Sequence, residues 1–168
     1  MRVVSHCEDL DLSKGGLMNE GAVSRELGVP GVPNAAEDCG TARDIALAEA
    51  YQVPIHICHV SSRTSVAMIR DAKRRGVQVT AETAPHYFSL TDALLRARDA
   101  DFRMSPPLRT EADRLAVIEG LRDGTIDAIA TDHTRRRKRR IFPRRRMGAS
   151  GWRLPSLPES PTWSSPAC

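Results

Sequence analysis

Short apolar segments alternate with helical patterns along residues 1–133, and this alternation restricts the fold more than any other feature of the sequence. Helical patterns cover residues 34–52, 62–75 and 110–122. The apolar segments predict strands at residues 2–5, 54–60, 77–82 and 126–131. Repeated strand, helix, strand units build a parallel sheet that helices cover. The sequence therefore predicts an α/β fold.

Candidate helix starts accompany two of these patterns. Ser61 or Ser62 is a candidate N-cap for the helix at 62–75, because a serine hydroxyl can accept a hydrogen bond from a free backbone N–H of the first turn. Thr110, followed three residues later by Asp113, resembles a capping box for the helix at 110–122. Both features favour helices at these positions.

The pattern ends abruptly after Asp132 and His133, where six consecutive basic residues follow at positions 135–140. Residues 135–168 carry ten basic side chains and one acidic one, a net charge of +9, which leaves −5 for residues 1–134. Residues 141–168 contain five prolines and five serines and no apolar periodicity. We therefore expect a domain over 1–133 and a basic, Pro/Ser-rich, disordered tail over 134–168.

The tail has three interpretations. Clustered Arg and Lys neutralise phosphates, but no aromatic stacking platform or folded reader accompanies the run, so nucleic acid is not the expected partner. A charge run of this type is also common in solvated segments. Our hypothesis is that the tail is the wrong reading frame of a GC-rich gene, because such frames encode Arg, Pro, Ser and Gly. Resequencing the gene tests this hypothesis.

The cysteine pattern and the start of the chain indicate a compartment. The four cysteines form no C-x-x-C pair and no disulfide framework, which suits a reducing cytosol. The first residues lack the apolar region of a signal peptide. No apolar run approaches the roughly 20 residues of a membrane span. We expect a cytoplasmic protein with no membrane partner.

Polar residues end three of the four predicted strands, namely His6, His59 and Asp132. Strand C-termini meet on one face of a parallel α/β fold, where ligands and catalytic groups collect. Two neutral imidazoles and a carboxylate suit zinc or a similar divalent ion. Alternation along residues 54–60 places Ile55, Ile57 and His59 on one face, so we expect His56 to point away from this site.

Several motifs, in order, resemble those of dihydroorotases, the cyclic-amidohydrolase branch of the amidohydrolase superfamily. The match runs over residues 1–133. The motifs are His6-Cys7-Glu8-Asp9, Met18-Asn19-Glu20-Gly21, His56-Ile57-Cys58-His59-Val60-Ser61, Thr80-Ala81-Glu82, Pro106-Pro107-Leu108-Arg109 and Ala130-Thr131-Asp132-His133.

The resemblance implies part of a TIM (β/α)8 barrel, strands five to eight. It implies that His6 and His59 ligate one metal ion and that Asp132 ligates another and shuttles the proton. A metal-activated hydroxide would open the cyclic amide of dihydroorotate to carbamoyl-aspartate, reversibly, in pyrimidine biosynthesis. Zinc, in one or two ions, is the expected cofactor. The family leaves open a homo-oligomer or association with aspartate carbamoyltransferase.

The sequence also departs from the family. Ser105 stands where dihydroorotases have an asparagine before Pro-Pro-Leu-Arg, as in hydantoinase- and allantoinase-like relatives, and we expect it to contact substrate. Thr134 and Arg135 replace the Ala-Pro that usually precedes a second histidine, and the ligands of the earlier strands cannot be placed. The alternatives are a hydantoinase- or allantoinase-like enzyme and a non-catalytic basic-tailed protein. We expect this chain alone to be inactive or nearly so.

Overall fold

The computed structural model describes residues 1–132. The strands are β1 (Val3–Ser5), β2 (Met18–Asn19), β3 (Gly31–Val32), β4 (Ile55–Ile57), β5 (Val79–Thr83) and β6 (Ala128–Ile129). The α-helices are α1 (Leu10–Ser13), α2 (Ala22–Leu27), α3 (Asn34–Tyr51), α4 (Arg63–Arg74), α5 (Pro85–Ser89) and α6 (Glu111–Arg122). Short 3₁₀ helices cover Asp92–Ala97 and Ala100–Phe102.

Four of the strands form one parallel sheet in the order β1-β4-β5-β6. The register pairs Ser5 with Ile57 and Ile57 with Ala81, so the strands end close to the same level. Each connection within this sheet contains a helix, as parallel pairing requires. The prediction of an α/β fold with a parallel sheet is therefore confirmed.

The main hydrophobic core lies between this sheet and helices α3, α4 and α6. Alternate residues of β4 and β5 enter it, because side chains of a strand point to opposite faces in turn. Its buried members include Ile45, Ile55, Ile57, Val66, Ile69, Val79, Ala81, Val117 and Ile126. The opposite face of β4 and β5 carries His56, Thr80 and Glu82, which are only half-buried.

Both predicted helix starts are confirmed. The Ser62 side chain accepts a hydrogen bond from the backbone N–H of Ser65 at 3.0 Å, at the start of α4. Thr110 and Asp113 form a reciprocal capping box at the start of α6. Asp113 is buried and also accepts hydrogen bonds from Asn34 Nδ2 at 2.9 Å and the Arg63 backbone at 3.1 Å. It therefore joins the N-terminal ends of α3, α4 and α6.

Some elements differ from the prediction. The fourth strand is much shorter than residues 126–131, because β6 pairs with β5 only through Ala128 and Ile129. The expected loop after Glu82 contains helix α5, with Pro85 in its first turn. The small parallel sheet of β2 and β3 was not predicted. Two-residue strands carry too little alternation to be recognised from sequence.

Both edge strands of the main sheet are unpaired on their outer sides within residues 1–132. Val3 and Val4 on β1 and Ile129 on β6 are large apolar residues that are exposed. No helix in residues 1–132 combines the length and apolar character needed to cross a bilayer. The tail at 134–168, its predicted disorder and the reading-frame hypothesis lie outside the described residues, as does His133.

Candidate functional site

His6 and His59 meet at the C-terminal ends of β1 and β4. His6 Nδ1 lies 2.8 Å from His59 Nε2, and the ring centroids are 4.6 Å apart. The other ring nitrogen of His6 lies 2.9 Å from a carboxylate oxygen of Glu8. A carboxylate on the second nitrogen fixes the tautomer and the orientation of an imidazole. The structure thus brings together two of the three residues that the sequence singled out.

The loop that carries His6 is held by close packing against α3. Gly40, on α3, faces the backbone of Cys7 and Glu8, and a Cβ at this glycine would lie 2.8 Å from backbone atoms of both. Cys7 is buried in the core, and burial raises the pKa of its thiol to about 12. Cys7 is therefore a small core residue and not a thiolate, as the sequence predicted.

His59 combines two features that are unfavourable for a structural residue. Its backbone is left-handed, with φ of 40°, although it is neither a glycine nor a helix cap. Its Nδ1 is buried, and within residues 1–132 it has no hydrogen-bond partner. Strain and unsatisfied polar atoms of this kind cluster at functional sites, where the surrounding structure supports them. A metal ion or a substrate could satisfy this nitrogen.

The electrostatic environment keeps His59 neutral. Burial and the positive charge of a protonated His6 lower the pKa of His59, while the negative charges of Asp132 and Glu37 partly offset this effect. A neutral imidazole has a free lone pair on one ring nitrogen, which metal coordination requires. His59 is therefore in the protonation state of a ligand at neutral pH.

Asp132 lies near this pair, at the end of the described chain. Its carboxylate is exposed, and its charge contributes to the pKa values of both His59 and Cys58. Its φ is 45°, so it also adopts a left-handed backbone. The other two non-glycine residues of 1–132 with positive φ are Gln52 and Arg98, which are helix C-caps. The structure records no hydrogen bond between Asp132 and either histidine.

The expectation from strand alternation was reached by a wrong argument. Strand β4 ends at Ile57, and the left-handed His59 turns the chain, so His59 does not continue the face of Ile55 and Ile57. His56 contacts other partners, with Nδ1 2.9 Å from Thr80 Oγ1 and Nε2 3.3 Å from a Glu82 oxygen. His56 and His59 thus make separate contacts, but because the backbone turns and not because the strand alternates.

A buried polar network beneath the histidines was missed by sequence reasoning. Arg109 is 3% exposed and Glu37 is 4% exposed, and Arg109 Nη2 lies 3.5 Å from Glu37 Oε2. Arg109 also donates to Ser61 Oγ at 3.2 Å and to Asn19 Oδ1 at 3.1 Å. Glu37 accepts from the backbone N–H of Ser61 at 2.8 Å. Ser61 is two residues from His59, so the network fixes the loop that carries it.

A sequence signal for this network existed. The buried side of α3 includes Glu37, Thr41, Ile45 and Ala48, which recur at intervals of three to four residues. An acid on the apolar side of a helix needs a buried partner. Arg109 directly follows the buried residues Pro106, Pro107 and Leu108. The partner of a buried acid is distant in sequence, however, and the pattern alone does not name it.

Ser105 lies on the surface, immediately before this buried segment. Its side chain forms no hydrogen bond that the structure records with His6, His59 or Asp132. The predicted contact of Ser105 with substrate remains a prediction.

Comparisons with known proteins agree with the motifs. Residues 1–65 match the family described as Dihydro-orotase-like. The dihydroorotase of Syntrophus aciditrophicus is 61% identical over 131 residues, and that of Geobacter metallireducens is 62% identical over 131 residues. Each alignment covers 78% of this chain and 31% of the relative. The chain thus spans about a third of the length of these relatives.

Solved structures show the same fold. The dihydropyrimidinase of Brevibacillus agri has a TM-score of 0.66 and 26% identity, covering 79% of this chain and 30% of that protein. A D-hydantoinase from Thermus sp. has a TM-score of 0.65 at 26% identity, with the same coverage. Both neighbours are cyclic amidohydrolases by name, but the identity to dihydroorotases is more than twice as high. The chain belongs to the dihydroorotase-like family of cyclic amidohydrolases, of whose members it represents about a third.

Proposed function

We propose that residues 1–133 are the second half of a dihydroorotase barrel, strands five to eight, and that residues 134–168 are a separate tail. In this assignment, β1, β4, β5 and β6 are those four strands. The parallel order of the sheet and its two unpaired edges support the proposal. A closed barrel of this type needs about 250 residues and eight strands, so the remaining strands must come from elsewhere.

We further propose that His6 and His59 hold zinc and that Asp132 is both a ligand and the catalytic acid and base. The convergence of the two imidazoles at 2.8 Å carries this proposal, and the unpartnered Nδ1 of His59 supports it. A bound divalent ion would supply Lewis acidity and activated water. Glu8 orients His6, and the Arg109 network holds the loop of His59.

The proposed reaction is the reversible opening of the cyclic amide of dihydroorotate to carbamoyl-aspartate. Asp132 accepts a proton from the attacking water and delivers it to the leaving ring nitrogen. Its exposed carboxylate can reach both substrate and solvent. Ser105 is proposed as a substrate contact from the motif Pro-Pro-Leu-Arg that follows it.

A chimaera provides the test, because this chain spans 31% of its relatives. Residues 1–132 would replace the aligned segment of the Syntrophus aciditrophicus dihydroorotase, which then supplies the remaining strands. We expect the chimaera to hydrolyse dihydroorotate. His6→Ala, His59→Ala or Asp132→Ala should each reduce kcat by at least the roughly 10²–10⁴-fold that general acid–base catalysis contributes.

Asp71→Asn is the matched control for Asp132, because Asp71 is an exposed acid paired with Arg75 on the far end of α4. It should leave kcat unchanged. Full activity after loss of His6, His59 or Asp132 would refute the assigned site. The structural neighbours favour a second candidate, a hydantoinase-like activity, which predicts that the chimaera prefers hydantoin or dihydropyrimidine substrates over dihydroorotate.

A further inference from the structure

A second group of potential metal ligands lies on the face of the sheet that α3, α4 and α6 do not cover. It consists of His56, Cys58 and Glu82, whose ligand atoms all lie within 4.8 Å of one another. All three side chains are half-buried. The group shares no residue with the proposed zinc site of His6, His59 and Asp132. The dihydroorotase reaction proposed above uses none of its members.

The sheet register explains why these three residues converge. His56 pairs with Thr80 across β4 and β5, and Ile57 pairs with Ala81. Continuing this register by one residue places Cys58 beside Glu82. Ile55 and Ile57 enter the core, so the alternating residues His56 and Cys58 point to the opposite face. Glu82 points there too, between the buried Ala81 and Thr83.

The chemistry of the group fits a transition metal better than an ordinary ion pair. His56 Nε2 lies 3.3 Å from a Glu82 oxygen, which is longer than a good charge-assisted hydrogen bond of about 2.7–2.9 Å. Bond lengths of about 2.0–2.3 Å to a tetrahedral zinc separate neighbouring ligand atoms by about 3.2–3.8 Å. The observed spacing therefore needs little side-chain movement to hold an ion.

We propose that His56, Cys58 and Glu82 form a second metal site, which binds zinc or cobalt through one nitrogen, one sulfur and one oxygen atom. Water completes the tetrahedron on the open side of the sheet. Binding replaces the S–H bond of Cys58 by a sulfur–metal bond, and the thiol proton passes to solvent. The thiolate and the Glu82 carboxylate together neutralise the charge of a divalent ion.

Titration of the purified full chain with Co²⁺ tests this site, because only a thiolate ligand produces an intense sulfur-to-cobalt charge-transfer band in the near ultraviolet. The zinc site proposed above contains no cysteine, so a failure of one proposal is distinguishable from a failure of the other. We expect the band in the wild-type chain and its displacement by Zn²⁺. The double variant His6→Ala/His59→Ala should retain it.

Cys58→Ser should abolish the band, whereas Cys39→Ser and Cys168→Ser should leave it intact. Cys39 is an exposed cysteine on α3 and serves as the matched control. His56→Gln and Glu82→Gln should each weaken Co²⁺ binding by at least the roughly 10–100-fold that loss of an outer-shell partner costs at metal sites.

Alkylation provides a second measurement that does not depend on how the variants fold. Zn²⁺ should protect Cys58 of the wild-type chain from iodoacetamide, with the modified residue located by mass spectrometry, while Cys39 stays reactive. A charge-transfer band that survives Cys58→Ser would overturn the proposal. The same conclusion follows if no band forms and Zn²⁺ leaves the alkylation of Cys58 unchanged.

Discussion

The Arg109 network and the cluster of His6, His59 and Asp132 are neighbours with opposite properties. In the network, Arg109 and Glu37 are buried and each makes several hydrogen bonds. In the cluster, His59 has an unpartnered Nδ1, and both His59 and Asp132 have left-handed backbones. Satisfied polar groups stabilise a fold, whereas unsatisfied and strained ones are retained for binding. The two regions should therefore respond differently to substitution.

The largest expected effect is at the network. Arg109→Met keeps much of the side-chain volume but leaves Glu37 buried without its cationic partner. Removing one member of a buried ion pair costs about 3–5 kcal/mol in the free energy of unfolding, a large share of the total stability of a domain. Urea denaturation of the full chain, followed by circular dichroism, measures this loss.

Arg114→Met is the control for this substitution. Arg114 lies on α6 and pairs with Glu111 at the surface, where solvent screens the charges. It should leave the denaturation midpoint almost unchanged. Equal midpoints for Arg109→Met and the wild-type chain would show that the network is not the stabilising region, and the comparison would fail.

At the cluster, the same measurement should give a much smaller effect. His59→Asn removes the imidazole with its unpartnered Nδ1, and asparagine tolerates a left-handed backbone well. We expect the free energy of unfolding to change by less than about 1 kcal/mol, which is typical of sites without a specific stabilising contact. A loss comparable to that of Arg109→Met would assign His59 a structural role instead.

The sequence predicted different parts of these two regions. His6, His59 and Asp132 were recognised because each is a potential ligand at the end of a predicted strand, and the parallel topology brings such ends together. The left-handed turn at His59 was not predicted, because the choice between continuing a strand and turning depends on tertiary contacts. These include the hydrogen bond from the Val60 backbone N–H to the Glu82 carbonyl at 2.8 Å.

The network shows the complementary difficulty. Helices α3, α4 and α6 and the capping residues Ser62 and Thr110 were predicted from local patterns, because caps and periodicity act within one element. The contacts of Arg109 join residues 48 to 90 positions apart, and nothing local records which of them meet. The short strands β2 and β3 were missed for the same reason, since the parallel pairing between them defines them.

The smallest expected effect is a pH dependence that belongs to His59. Burial, with the nearby positive charge of His6, lowers the pKa of His59 in the folded chain below its ordinary value of about 6.5. As the pH falls below about 6.5, the unfolded chain therefore takes up a proton at this residue before the folded chain does, and the free energy of unfolding decreases. Above this range both states are neutral at His59 and its contribution is constant.

His59→Asn removes this titration, so the variant should lose less stability than the wild-type chain when the pH is lowered from about 8 to about 5.5, on either side of the ordinary histidine pKa. Thermal denaturation at a series of pH values, compared between the two chains, isolates the effect because the carboxylates and other histidines are common to both. Parallel pH profiles would mean that His59 titrates alike in both states. The cluster would then have lost the electrostatic feature that separates it from the satisfied network.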